Sequence, residues 1–231
     1  SDYISHANNK RKLKDYPYYL ARNYMLRKKS GWINQLNHRT GKLLDYGCGV
    51  GSFMHHMASR NWEVYGVEPN QKAKALANDQ LPNRISSNLA EIEISDFDVI
   101  TLWHVLEHVE NLNDTLNGLY SKLKPGKFLL LAVPNCSSYD AKYYHEHWAA
   151  YDVPRHLYHF TQETMQLLAK RHRLQLVKTI PLKLDAFYIS LLSEKYRNGS
   201  MLNGIFQGLK SNFLAQKNQG NYSSLVYVYK K

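Results

Sequence analysis

From residue 42 onward, short apolar runs alternate with stretches whose apolar residues recur at helical spacing. KLLDYG (42–47), WEVYGVE (62–68), a weak RISS (84–87), FDVITLW (97–103) and KFLLLAV (127–133) are nearly continuously apolar, as strands covered on both faces of a parallel sheet are. SFMHHMASR, QKAKALANDQ and LNDTLNGLYSKLK lie between them with helical periodicity, and Pro125-Gly126 is the expected stop of the third. Repeated strand–helix–strand units with right-handed crossovers predict a doubly wound α/β sheet with helices on both faces. Ligands of such sheets bind at the carboxyl ends of the strands.

After residue 160 the pattern is less regular. Thr161 is the expected N-cap of TQETMQLLAKRH, with Glu163 favouring the positive end of that helix; LQLVKTI and SSLVYVYKK read as the last two strands. Between those strands, Leu184, Phe187, Tyr188, Leu191, Leu192 and Tyr196 keep helical spacing, as do Met201, Leu202, Ile205, Phe206 and Leu209. This stretch is expected to be a helical lid over the carboxyl edge of the sheet. The same spacing suits a helix lying on a membrane surface, so peripheral membrane contact stays open. Residues 17–37 predict a further helix. The expected organisation is a helical cap at 1–41, a core at 42–182, the lid at 183–220 and a final core strand at 221–231.

Composition narrows the class. A chain of 231 residues with 44% hydrophobic content can bury one good core. Its longest apolar stretch, Phe128 to Val133, is far short of the ~20 residues a membrane-spanning helix needs, and the charged amino end does not suit a signal peptide, so a cytoplasmic location is expected. The two cysteines, Cys48 and Cys136, give no disulfide framework and no metal knuckle. The net charge of +11 divides into +8 over residues 1–42, −5 over 43–160 and +8 over 161–231. Basic flanks could serve nucleic acid, but here they sit among helix-patterned apolar residues, as solvated helix faces do, and a nucleic-acid partner is not the expectation.

Candidate chemistry begins with LLDYGCGVGSF (43–53), where a strand ends in Gly47, Gly49 and Gly51. Glycines there permit positive φ and close approach of a ligand, with the next helix offering N-terminal amides. The dinucleotide fingerprint G-x-G-x-x-G is not met, because the third glycine comes one residue early and Ser52 stands in its place. Asp45 adds a carboxylate better matched to an ammonium group than to a pyrophosphate. Glu68, at the end of the second apolar run, is placed to accept hydrogen bonds from both hydroxyls of a ribose. Ribose, ammonium and carboxylate together point to S-adenosylmethionine.

LLDYGCGVGSF, VYGVEPN, FDVITLWHVLEHV, LKPGKFLLLAVPN and YDVPRHLYHFTQETMQLLAKR together resemble the class I S-adenosylmethionine-dependent methyltransferases, in particular the small-molecule group containing the ubiquinone-biosynthesis O-methyltransferases. The resemblance spans roughly residues 40–180. It implies a Rossmann-like, doubly wound seven-stranded sheet with an antiparallel last strand, SSLVYVY, and helical cap elements around it. It assigns Asp45, Gly47, Cys48 and Gly49 to the methionine part and the backbone beside it, Glu68 and the adjoining Pro69 to the ribose, Asn88 or Leu89 to the adenine edge, and Trp103 with His104 to the methionine side. The acidic residue usual after the third strand is not evident in SSNLAE. Relatives with such flanks often carry a cysteine-containing segment upstream, and a chain starting at Ser1 is consistent with one.

Methyl transfer to oxygen needs alignment and a base. HVLEHV places His104, Glu107 and His108 on one face if the segment is helical, and relatives have a glutamate where His104 stands and an association there with divalent metal. YYHEHWAAYDVPRHLYHF gathers His145, His147, Asp152, Arg155, His156 and His159 among aromatics and is expected to line an acceptor pocket. The expected catalytic residues are His156, His104 and Asp152, with a metal-free base at His156 preferred over a metal held by His104, Glu107 and His108; no metal ligand set is assigned. The expected function is methyl transfer to a small-molecule acceptor, most naturally at oxygen. The alternatives are an RNA methyltransferase, for which the tetrapeptide of amino-group methylation is missing (PNCS at 134–137 is not it), and a non-catalytic module that binds S-adenosylmethionine.

Overall fold

The computed structural model describes residues 16–231; the part of the expected 1–41 cap before Tyr16 lies outside the described residues. In chain order the longer elements are α1 (Tyr16–Asn37), β1 (Lys42–Tyr46), α2 (Ser52–Ala58), β2 (Glu63–Val67), α3 (Gln71–Gln80), β3 (Ile85–Ser86), β4 (Phe97–Trp103), α4 (Leu112–Lys122), β5 (Leu123–Pro134), α5 (Tyr139–Tyr144), α6 (Gln162–Arg171), β6 (Gln175–Pro181), α7 (Lys183–Tyr196), α8 (Met201–Lys217) and β7 (Ser224–Lys230). Seven strands form one sheet in the order β3-β2-β1-β4-β5-β7-β6. β1 pairs in parallel with β2 and β4, and β2 with β3, whereas β7 runs antiparallel to β6. The doubly wound sheet with an antiparallel last strand is therefore the fold observed.

Strand identity follows from burial on both faces. Leu43, Leu44, Val99, Ile100, Leu130 and Val228 are almost wholly removed from water, which disfavours any polar alternation. The caps are local. Asn70 accepts from the Lys72 and Ala73 amides at the start of α3, and Thr161 forms the expected cap of α6 in a reciprocal box with Thr164. Two expectations shift. α4 stops at Lys122, so that β5 begins at Leu123 and carries Pro125-Gly126 near its start, with Gly126 at φ 77°. HVLEHV is a short 3₁₀ turn at Leu106–His108 rather than an α-helix, entered through His104 at φ 56°.

The described chain divides into two compact units. One holds the described residues through Leu102 with Gly118–Leu129; the other holds Trp103–Asn117 with Leu130–Lys231. In the first, α1 is fastened beside the β1–α2 turn: Arg22 donates to Ser52, the Ser30 hydroxyl lies 3.1 Å from His56 Nε2, and Trp62 Nε1 donates to Asn34 at 3.3 Å. In the second, α7 and α8 pack against each other and against a small core of Tyr144, Trp148, Ala149, Ala150 and Ile189. No helix among the described residues is long and apolar enough to cross a membrane.

Candidate functional site

The first unit carries the glycine turn. Gly47, Gly49 and Gly51 take φ of 76°, 56° and 76°, a conformation that L side chains rarely adopt. Four of the turn's amides are committed inside the protein: Gly47 and Cys48 both donate to the Val67 carbonyl, Gly51 donates to the Cys48 carbonyl, and Gly49 donates to Glu68 Oε2 at 2.8 Å. These glycines clear space rather than supply donors. Glu68 also accepts from the Asn70 amide through Oε1 at 2.9 Å, so both oxygens are fixed at the end of β2. A carboxylate has about four acceptor positions, and two backbone bonds leave one on each oxygen for vicinal hydroxyls. On the neighbouring strand Asp45 stands opposite Gly66 and accepts from Thr101 at 2.6 Å. Burial raises its pKa to about 7 against the lowering effects of Thr101 and Lys29. A buried carboxyl poised near neutrality is a fit for a cationic ligand group, whose charge would restore the ionised form.

Other expected cofactor residues take humbler places. The Cys48 side chain turns inward: a Cβ at Gly66 would come within 2.7 Å of its sulfur and 2.5 Å of Met54 Sδ. Burial pushes that thiol far above its ordinary range, so Cys48 offers a ligand only backbone. Pro69 is exposed beside Glu68. Asn88 caps the 3₁₀ turn Leu89–Glu91, accepting from the Glu91 amide and donating to its carboxylate at 2.7 Å, while Leu89 packs where a Cβ on Gly118 would stand. Glu91 Oε2 accepts from the Ser87 amide, so the acidic residue of this loop braces its backbone.

The second unit carries a different cluster. Trp103 closes β4, and His104 follows it with its amide bonded to Ala132. Glu107 is 1% exposed, and among the described residues neither carboxylate oxygen has a hydrogen-bond partner. Around it stand His104 Nδ1 at 3.5 Å and His156 Nε2 at 4.0 Å. His104 Nε2 lies 3.0 Å from Asp185 of α7. Burial alone would lower the His104 pKa, but the close contact with Asp185 and the negative charges of Asp185 and Glu107 outweigh it and push it up to about 10. The protonated ring is thereby favoured, and in that form His104 offers neither a metal-binding lone pair nor a base. His156 is the opposite case: burial holds its pKa below the usual histidine value despite its bond to the Ala150 carbonyl.

The ligand geometry also differs from expectation. Glu107, His108 and His156 each offer one ligand atom, all within 4.8 Å of one another, so His156 stands in the place expected for His104. Nδ1 of His108 and of His156 lies 2.9 Å and 2.8 Å from the carbonyls of Arg155 and Ala150. A carbonyl only accepts, so both rings carry Nδ1–H, and His156 turns its Nε2 towards Glu107, the arrangement second-sphere partners impose on metal-binding histidines. His145 and His147 are exposed and join no such group among the described residues. Asp152 braces its loop, forming a two-pronged pair with Arg155 at 2.6 and 3.1 Å and standing 3.8 Å from His156. Trp148 is core, donating to Asp140. Asp185 is the member that sequence reading missed, for nothing local distinguishes it from any acidic residue near a helix start.

The described geometry coincides with a family match: residues 14–179 fit the family described as "Methyltransferase domain". This chain belongs to that family. The ubiquinone biosynthesis O-methyltransferase of Paraburkholderia phymatum is 31% identical over 114 residues, 45% of this chain and 49% of that protein. The protein of the same name from Azoarcus sp. is 32% identical over 103 residues, 41% of this chain and 44% of that one. The chain thus spans about half the length of the curated relatives it matches. A crystal structure of a SAM-dependent methyltransferase from Archaeoglobus fulgidus superposes with a TM-score of 0.61 at 19% identity, covering 91% of this chain and 94% of that one. At that identity the likeness concerns the fold, which is that of the class I S-adenosylmethionine-dependent methyltransferases.

Proposed function

We propose that this methyltransferase-domain protein binds S-adenosylmethionine at the β1 and β2 ends and transfers its methyl group to a small-molecule acceptor, at oxygen. The observation that carries the reading is Glu68, a carboxylate fixed by the Gly49 and Asn70 amides with acceptor capacity left on both oxygens. S-adenosylmethionine, when bound, supplies an electrophilic methyl on a sulfonium sulfur. Glu68 orients the ribose hydroxyls and Asp45 pairs with the ammonium. In the second unit, His156 Nε2 is the acceptor for the hydroxyl proton, because its Nδ1 proton is committed to Ala150 and burial favours the neutral ring. Glu107 stabilises the imidazolium that results. His104, tied to Asp185, sets its other ring nitrogen 3.5 Å from Glu107 and adds favourable charge beside it. Titration calorimetry with S-adenosylhomocysteine tests the binding half: unchanged affinity in Glu68→Ala removes it. Transfer of labelled methyl to a panel of hydroxyl-bearing small molecules tests the other half, and labelling of nitrogen acceptors alone would reject oxygen.

A second reading rests on one observation, the buried Glu107 with a ring nitrogen each of His108 and His156 gathered within 4.8 Å of it. The same three residues would hold a divalent cation, with two nitrogens and one carboxylate suited to a borderline transition metal. Its chemistry there would be to lower the pKa of an acceptor hydroxyl. Loss of methyl transfer in EDTA, with recovery on adding one divalent metal, selects this reading over a metal-free His156.

A further inference from the structure

α8 packs inside out. The side it turns to the protein is small or polar: Gly204, Gln207, Gly208, Ser211 and Ala215 are its buried residues. The glycines are required for that contact, since a Cβ at Gly204 would lie 3.0 Å from the Leu191 Cα and one at Gly208 3.0 Å from the Phe187 Cα, both on α7. Ser211 donates to the buried Asp140 at 2.7 Å. The side turned outward is apolar: Met201 is 73% exposed, Leu202 80% and Phe206 58%, with Ile205, Leu209 and Phe213 also in the open. Tyr188 and Tyr196 of α7 add exposed aromatic surface. Single exposed apolar residues are ordinary, but six on one helix, over a small-residue seam, are not a solution for water alone.

The charge that α8 and the chain after it carry is of one sign. Beyond Glu194 the chain has no Asp or Glu and six Lys or Arg. Lys195, Lys210 and Lys217 are exposed. Lys217 Nζ lies 4.4 Å from the Phe213 ring centroid and Lys210 Nζ 5.1 Å from that of Tyr139, so the aliphatic stems lie along apolar surface while the ammonium groups reach its edge. A second copy of the chain would bring basic rim towards basic rim, which like charges oppose. We propose that the outer face of α8 is a docking surface for an anionic lipid bilayer, with Leu202, Phe206, Leu209 and Phe213 entering the boundary between headgroups and acyl chains and the lysines pairing with lipid phosphates. This is independent of which acceptor the protein methylates.

Co-sedimentation of the full chain with vesicles tests it. The protein is expected to sediment with phosphatidylcholine vesicles containing roughly a third phosphatidylglycerol, and at least ~10-fold less with phosphatidylcholine alone or at high salt. The double variant Leu202→Glu/Phe206→Glu is expected to lose ~10-fold or more of that partition while its thermal midpoint and S-adenosylhomocysteine affinity stay those of the parent. Lys210→Glu/Lys217→Glu, which leaves the apolar face untouched, is expected to weaken binding to the anionic vesicles only, and it carries the test should the first variant not fold. A parent protein that stays in solution with anionic vesicles overturns the proposal. So do variants that bind as the parent does, and so does a lipid-free dimer, seen by light scattering, that Leu202→Glu/Phe206→Glu dissolves.

Discussion

The glycine turn and the histidine–carboxylate cluster solve opposite problems. Around Gly47–Gly51 the chain leaves little unpaired: the amides of Gly47, Cys48, Gly49 and Gly51 have acceptors, and both oxygens of Glu68 have donors. Around Glu107 it leaves, among the described residues, a buried carboxylate with neither oxygen bonded, ring nitrogens of His108 and His156 close by, and a histidine whose pKa is pushed up to about 10. An unbonded buried carboxylate costs stability, of order 1–3 kcal/mol or more for a charged group. A site that only binds can be built from satisfied groups with spare lone pairs. One that must receive a proton or a metal has to keep its acceptors open, and the stability so given up marks where chemistry belongs.

The sharpest break in that comparison is expected at Glu107 and His156. His156→Ala and Glu107→Gln should each lower the rate of methyl transfer by ~10²-fold or more while leaving S-adenosylhomocysteine affinity within about twofold of the parent. Single-turnover rates with calorimetry in parallel check this. Loss of cofactor affinity in either variant would collapse the distinction between the two clusters.

Glu68→Ala is the next largest effect, now expected in binding. It removes the two hydrogen bonds assigned to the ribose and also leaves the Gly49 and Asn70 amides without their acceptor. Affinity for S-adenosylhomocysteine should fall by ~1.5–3 kcal/mol, with a lower thermal midpoint. Glu68→Gln, which can still accept through one oxygen, should fall between the two. An affinity loss without any change of midpoint would mean that the loop does not depend on Glu68 and that only the ligand does.

Asp45 sharpens the same side through pH. With a pKa of about 7, the carboxyl is largely protonated at pH 6 and gives a cation no partner; as pH rises through 7 it ionises and affinity should rise. The gain should approach ~10-fold between pH 6 and 8, trimmed at the top because an α-amino group begins to lose its own proton near pH 8. Asp45→Asn should bind weakly and without this slope. Calorimetry at several pH values in buffers of different ionisation heat would also register the proton that Asp45 releases on binding.

The two clusters differed in legibility for a physical reason. Asp45, the glycines and Glu68 sit where strands end, and strand ends follow from apolar runs, so periodicity alone brought the carboxylates to one edge of the sheet. What periodicity did not reveal is that Cys48 faces inward and that four of the turn amides are already used, because both depend on how tightly Val67 and Gly66 approach. The second cluster joins residues 104–108, 150–156 and 185, which only tertiary packing brings together. HVLEHV, read as a helix, put His104 on the face of Glu107 and His108; the tighter 3₁₀ turn entered through a positive φ at His104 sets that ring between Glu107 and Asp185 and leaves its place beside His108 to His156. The outer face of α8 was visible as helical spacing, but which side faced the protein was not, because its inner contact runs through glycines and serine rather than large apolar residues.

The smallest effect decides the standing of Asp152, which either acts on His156 or only shapes the loop that carries it. Its carboxylate is 3.8 Å from His156 Nε2 but bonded at 2.6 Å to Arg155, a side chain 71% exposed. An exposed pair of this kind contributes ~0.2–1 kcal/mol. If Asp152 only braces the loop, Asp152→Ala and Arg155→Ala should give the same few-fold loss of transfer rate, since each breaks the same pair. If Asp152 bears on the imidazole directly, Asp152→Ala should lower the rate well beyond Arg155→Ala, and it should lower the pKa of His156 as read by NMR, because a nearby carboxylate favours the protonated ring. The distances favour the first outcome, so equal and small losses are expected, with the NMR titration of His156 moved little in either variant.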